Sequence, residues 1–300
     1  MTEPLEHSKP PGSEEEIEKK LLQLSESGTF AQLKQAIGFT GHSSRKIKIL
    51  AVKASSAIIK RNLITDFEKL DANVKNSLAL LLKRLDPAII DSISDDLFSE
   101  SEDHRLRALK VLGLLGQSIK IKQVLQKMLL DKDTKIRATA ISLLNNMVNS
   151  EDIRIIVKVL HDNDSRVRAN AVEVLEKIQS PNVISLLAKN RNDPDNRIRG
   201  NVIKALWCLG DKTVIKDIKE MLLHESHLMR ASGAWILGEI GKDHRELIDL
   251  LARHALDEHR LVRDNVIKSF LKIASKEAHA YLGYLFEKTD VDKVVNIKKN

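Results

Sequence analysis

In "RVRANAVEVL" the apolar positions are Val167, Ala171, Val172 and Leu175, with polar residues between them. That spacing is the stripe of an amphipathic helix, not the alternation of a strand. The stripe returns along the chain at a fixed interval. Counted from a recurring cation (Lys48, Lys75, Arg105, Arg137, Arg168, Arg199, Arg230, Arg263), apolar residues fall at −1 (His104 excepted), +3, +4, +7 (Ser55 excepted) and usually +10 or +11. From Arg137 onward the cations stand 31, 31, 31 and 33 residues apart. Small residues often occupy +3 (Ala51, Ala108, Ala140, Ala171, Gly233), where they let a neighbouring helix approach closely.

A second periodic segment precedes most of these helices: "PAIIDSISDDLF", "SIKIKQVLQKML", "EDIRIIVKVL", "SPNVISLLAK", "KTVIKDIKEML" and "DHRELIDLLARHA". Asp86–Pro87 and Ser180–Pro181 offer an N-cap residue followed by Pro in the first turn. Each unit therefore reads as a helix pair. A pair this small cannot bury its own apolar face, so neighbours stack and complete one another's core. "EEEIEKKLLQLSES" predicts a capping helix with an acidic first turn, and "EAHAYLGYLFEK" a closing one. Residues 1–13, with Pro10–Pro11, predict a disordered tail, 14–288 a single repeat array, and 289–300 a flexible tail.

The phrase Asp-x-Asp-x-x-(Val/Ile)-Arg recurs at Asp131–Leu144, Asp162–Leu175 and Asp193–Leu206, followed each time by small and apolar residues at helix spacing. It resembles the HEAT-repeat family, in its short bacterial, PBS-lyase-type form. The resemblance spans roughly residues 28–275 and fades before residue 70, where Lys replaces Arg. It implies an all-α, right-handed α-solenoid of about eight helix pairs with capping helices. It also implies that the recurring Asp and Arg residues link neighbouring units. On that reading Asp133, Asp164 and Asp195, four residues before their own Arg, cap a helix and also accept from a guanidinium. Arg105, Arg137, Arg168, Arg199, Arg230 and Arg263 form the other side of this ladder. Ser226 and His259 stand at the Asp position in the last two units and interrupt it there.

In such solenoids the second helix lines the concave side, where partners bind. Positions +2, +5 and +9 then face outward. They read Lys53, Arg84, Arg107, Lys110, Lys177, Lys204, Lys268 and Lys272 against Glu173 and Glu239, with Asn170, Asn201 and Asn265 at +2 and Trp235 at +5. This bias is steeper than that of the whole chain, which carries 49 basic and 42 acidic residues for a net +7. A basic face admits an acidic protein surface or peptide, or nucleic acid. Aromatic residues make up only 3% of the chain, which argues against a base-stacking surface. Trp235 is the natural anchor for a partner, while Trp207, at +8, is expected to pack between units.

Candidate chemistry is sparse. The late histidines His224, His227, His244, His254 and His259 have neither a CxxC nor an HExxH beside them, so no metal or cofactor is expected. His224–Glu225 is a single His-Glu pair, whereas the HEAT-type deoxyhypusine hydroxylases bind iron through repeated ones. Trp235 and Glu239, four apart, are the one feature shared with HEAT-like DNA glycosylases. Bilin lyases use this repeat type too, but Cys208, the single cysteine, reads as a small buried hydrophobe and forms no intrachain disulfide. "GLLGQ" and "GEIGK" read as helix ends, not phosphate loops. The opening residues lack a basic segment followed by an apolar run, and no stretch approaches the roughly 18 apolar residues of a membrane span. The expected protein is a cytoplasmic, non-catalytic scaffold or adaptor that binds another protein along a basic concave face. The alternative is a nucleic-acid-binding HEAT-like module, glycosylase-like in its chemistry.

Overall fold

The computed structural model describes residues 13–178 and 180–288, in which all regular structure is helical. Apart from Ser13, both predicted tails lie outside these residues. The chain forms two compact units that divide between Leu143 and Leu144. No helix among the described residues is long and apolar enough to cross a membrane.

The N-terminal unit holds α1 (Glu14–Ser27), α2 (Leu33–Gly38), α3 (Arg45–Thr65), α4 (Ala72–Leu85), α5 (Ile89–Asp96), α6 (Glu102–Leu114), α7 (Ile119–Met128) and α8 (Thr134–Leu144). Ser13 and Glu16 close a reciprocal capping box on α1. Its apolar stripe, Ile17, Leu21 and Leu24, joins Ala36, Ile47, Ala51, Ala54 and Ile58 in one buried cluster. The expected pairing breaks at α3. Ile58, Ile59, Leu63 and Ile64 are all buried and continue its stripe without a Gly or Pro, so the helix runs on for 21 residues. Only the short turn Phe67–Lys69 separates it from α4, and the unit anchored on Lys75 has no first helix. Asp86 does not cap α5, which starts at Ile89. It accepts instead from the Ser56 hydroxyl (3.2 Å) and the Ala88 amide (2.9 Å).

The C-terminal unit is regular. First helices α9 (Ile153–Val159), α11 (Pro181–Ala188), α13 (Ile215–Leu222) and α15 (Arg245–Ala252) alternate with second helices α10 (Ser165–Ile178), α12 (Asn196–Cys208), α14 (His227–Ile240) and α16 (Arg260–Ile273), and α17 (Lys276–Lys288) follows. The second helices pack side by side in chain order. The predicted stripe is their buried stripe: Val167, Ala171, Val172 and Leu175 in α10, and Ile198, Val202, Ile203 and Leu206 in α12, are each at most 1% exposed. The stripe continues past each repeat's cation, so apolar burial holds the stack and leaves the polar positions for links between turns.

Candidate partner-binding face

The cations of the repeat do two jobs. The Nη1 of Arg168 donates to the carbonyls of Asp162 (2.8 Å) and Asn163 (3.2 Å), six and five residues before it, and staples its own turn. Arg105, Arg137, Arg230 and Arg263 repeat this pattern. The rest of the guanidinium reaches the next turn: Arg105 pairs with both oxygens of Asp131 at 3.1 Å, Arg168 with Asp193 at 3.6 Å, and Arg230 with Asp257 at 2.8 and 3.1 Å.

The carboxylate on these rungs is the first Asp of Asp-x-Asp, not the second. Asp133 and Asp195 cap their helices, each accepting from two backbone amides at 2.8 to 3.1 Å. Asp164 accepts from the Arg166 amide and from its side chain. An N-cap carboxylate is aimed along the helix axis at free N–H groups, whereas the residue two earlier projects from the turn toward the preceding unit. Ser226 and His259 therefore leave the ladder intact. The Nδ1 of His259 accepts from the Leu261 amide (3.2 Å) as a cap, and Arg230 keeps its partner in Asp257.

The break falls instead at Arg199. Its rung position, six before Arg230, is His224. Among the described residues Arg199 reaches only Glu220, at 3.4 Å, and its buried Nε has no partner. Arg191, which pairs with Asp217 and lies 3.7 Å from Asp211, makes the link between these turns. The Nδ1 of His224 accepts from the Ser226 amide at 3.0 Å, a bond that Asp131, Asp162, Asp193 and Asp257 each make with the amide two residues on. His224→Asp is thus expected to keep the turn, give Arg199 its carboxylate and raise stability by about 1–2 kcal/mol. Urea unfolding checks it; an unchanged or lower midpoint refutes the position assigned to the rung.

The outward positions sort into two groups. Asn170, Asn201, Asn265 and Trp235 line one cleft of about 560 Å³ across α10, α12, α14 and α16. Its wall also carries residues the outward count omits: Asn196, Ser232 and, at −2, Arg166, Arg197, Leu228 and Leu261. Trp235 is half-buried. It lies over Gly200, whose missing side chain would sit 3.7 Å from the indole ring. The amide of Asn201 donates to Glu173 (3.2 Å) and that of Asn265 to the Ala231 carbonyl (2.9 Å). The change at −2 from Arg to Leu was written in the sequence, but only the cleft shows that these positions share a surface.

None of the outward lysines lines this cleft, and most are engaged. Lys204 pairs with Glu176 at 2.7 Å, Lys272 with Glu239 at 2.6 Å, and Lys177 donates to the side-chain amide oxygen of Asn146 at 2.9 Å. Burial works against the charge of Lys204, but its bond to Glu176 outweighs this and holds its pKa above the ordinary lysine value. In the N-terminal unit Lys110 pairs with Glu68 at 2.6 Å, and Arg107 is half-buried with its Nε unpartnered. Lys53, Arg84 and Lys268 are exposed and make no hydrogen bond or ion pair among the described residues. The count that made this face basic missed Glu68 and Glu176, which stand outside the three outward positions.

The other candidates are spread over separate tasks. His227 stacks on His259 at 3.7 Å, and His244 meets the ring of Trp207 edge-on at 5.6 Å. Burial lowers the pKa of His254. Trp207, 9% exposed, packs as expected and carries the Lys212 ammonium 4.0 Å above its ring. Cys208 is exposed rather than buried, at the last turn of α12, and partial desolvation and Glu176 push its thiol pKa up. Among the described residues no three His, Cys, Asp or Glu side chains are grouped so as to hold a metal ion. "GLLGQ" and "GEIGK" do end helices: α6 stops at Leu114 ahead of Gly116, at φ +90°, and α14 stops at Ile240 with Gly241 as its C-cap, while Gly113 and Gly238 stand in the last turns.

The sequence matches the HEAT-repeat family over residues 88–176, 123–207, 153–233 and 185–270. No curated protein matches the chain. Among solved structures it is similar to human deoxyhypusine hydroxylase in complex with glycerol, at 18% identity over 67% of this chain and 91% of that one, with a TM-score of 0.36. It is also similar to the complex of CpcE and CpcF of phycocyanin lyase from Nostoc sp. PCC7120, at 16% identity over 85% of this chain and 94% of that one (TM-score 0.45). YibA of E. coli gives 17% identity over 98% and 100% of the two chains, with a TM-score of 0.44.

Proposed function

The chain belongs to the HEAT-repeat family, and from that premise we propose that it is a non-catalytic scaffold whose C-terminal unit docks a partner protein in the cleft across α10, α12, α14 and α16. One observation carries the reading. At +5, where α10, α12 and α16 place Glu173, Lys204 and Lys268, α14 places Trp235, half-buried, in the wall of a cleft otherwise lined largely by amides and short side chains. The ring packs over Gly200 of α12, yet it stands where the neighbouring second helices carry charge and leaves part of its surface in the cleft. Aromatic anchors of this kind dominate binding energy at protein interfaces.

The paired lysines change how such a partner would be steered. Lys204 and Lys272 are tied to carboxylates of neighbouring helices and serve the stack first, so attraction falls to exposed cations such as Arg197 and Lys268.

The test is affinity capture on the wild-type chain and on Trp235→Ala, with and without nuclease. A protein bound after nuclease treatment and weakened on the order of 30-fold by Trp235→Ala is the expected result, equivalent to about 2 kcal/mol. Loss of all binding on nuclease treatment, with steep salt dependence of what was bound, overturns the reading in favour of nucleic acid.

A further inference from the structure

The walls of the cleft are not uniform along the array. At −2, α10 and α12 carry Arg166 and Arg197, while α14 and α16 carry Leu228 and Leu261. Leu228 is 45% and Leu261 37% exposed, and Trp235 stands beside them in the same cleft. Arg166 already binds Asp164. Arg197 is exposed, and its guanidinium makes no hydrogen bond or ion pair among the described residues. One end of the cleft thus carries the cations, together with Glu173, whose carboxylate is held by the Asn201 amide, and the other end is apolar. Asn201 on α12 and Asn265 on α16 each use an amide N–H internally, and their carbonyl oxygens accept nothing among the described residues.

We propose that the cleft takes an extended peptide segment of the partner, with a carboxylate side chain on Arg197 and large apolar side chains on Leu228, Trp235 and Leu261. This rests on the scaffold reading and narrows it to a linear segment of defined polarity. Charge complementarity selects the acid, because a cation held at the rim of a partly desolvated cleft favours a carboxylate and repels a lysine. The spacing follows from the helices. Packed helices lie about 8–10 Å apart and an extended chain advances about 3.3 Å per residue, so roughly three residues pass each helix. The acid and the apolar residues are therefore expected about three to six positions apart. Extended backbone brings N–H groups that need acceptors once they leave water, and the free carbonyl oxygens of Asn201 and Asn265 supply them.

The probe is a displayed library of random peptides of about twelve residues, long enough to cross four helices at that spacing, selected on the full chain. Enriched peptides are expected to carry Asp or Glu three to six positions from Leu, Ile, Phe or Trp. An enriched peptide should lose about tenfold in affinity on Arg197→Glu, and a fresh selection on that variant should replace the acid by Lys or Arg. On Leu228→Ser/Leu261→Ser the apolar preference should fall while the acidic one stays. Circular dichroism verifies that these surface variants remain folded. If nothing is enriched, or the enriched peptides lack the acid–apolar pair or ignore Arg197→Glu, the proposal fails. It fails equally if a random-sequence oligonucleotide binds the cleft through Arg197 in their place. A nuclease-resistant, Trp235-dependent protein partner found alongside such a failure would leave the scaffold reading standing, whereas loss of both would end both.

Discussion

Arg230→Ala is expected to cost about 3–5 kcal/mol, the range for removing one partner of a buried ion pair. The side chain is 11% exposed and that of Asp257 is 8% exposed. Arg230 makes five hydrogen bonds: two to Asp257, one to Glu258 at 3.1 Å, and two to the carbonyls of His224 and Glu225. Truncation leaves a desolvated carboxylate and two carbonyls of the turn short of a donor. The loss should depend on pH. Burial raises the pKa of Asp257, but bonds from Arg230 and the His259 amide outweigh it and hold the carboxyl below its ordinary value. A depressed folded pKa adds stability that is present above the unfolded carboxyl pKa, about 3.9, and disappears as pH falls through the folded value. The gap between wild type and Arg230→Ala should therefore be widest at neutral pH and narrow in acid. Urea unfolding near pH 7 and near pH 3 measures it. Asp257→Asn, added to Arg230→Ala, should recover part of the loss, because it removes the stranded charge and keeps an acceptor for His259. A neutral-pH cost under about 1 kcal/mol would class the rung with screened surface pairs.

That rung also marks how far the sequence could be read. Period, helical character and the buried stripe were all legible in the C-terminal unit, because burial imposes a spacing on residue types and its units obey the same one. The direction of the rungs was not. Two Asp residues two positions apart look alike in a string, and only turn geometry assigns the second to the helix end and the first to the neighbour. For the same reason, the doubt placed on Ser226 and His259 belonged at His224. The extension of α3 was visible in Ile58, Ile59, Leu63 and Ile64, yet the expected period hid it.

The cleft residues could be placed by position, but which cations are paired could not. Asn170, Asn201, Asn265 and Trp235 follow from helix periodicity alone. The pairing of Lys204 with Glu176 does not, since it joins +5 of one unit to +8 of the unit before, a relation set by helix packing and not by sequence separation. A charge count restricted to one stripe misses carboxylates that lean in from its edge. The change from Arg166 and Arg197 to Leu228 and Leu261 gains meaning once these side chains are seen to share one wall.

Gly238→Ala should lower stability by about 2–3 kcal/mol, although alanine is the better helix former by about 1 kcal/mol. Gly238 lies within α14, where this helix meets α16. A β-carbon there would stand 2.6 Å from the Cβ of Ser269 and 2.8 Å from its Cα, and closer still to its hydroxyl. A rotamer change cannot clear a backbone atom, so α14 and α16 must separate. Separation also strains the buried bond from the Ser269 hydroxyl to the Ala234 carbonyl, 2.9 Å long. Gly113 supplies the internal control, because it holds the same +8 position in α6. There the β-carbon would meet Leu143 Cδ2 at 2.7 Å, and the far end of a leucine can turn aside. Gly113→Ala should accordingly stay within about 1 kcal/mol of wild type, the helix-propensity gain offsetting a mild repacking. Ser269→Gly in the Gly238→Ala background should restore only part of the loss, since the clash with the backbone at position 269 persists. Thermal and urea unfolding of the three variants decide the matter. If Gly238→Ala matches the wild type, α14 and α16 do not approach as closely as these distances state, and the spacing on which the cleft proposal depends must be redrawn with them.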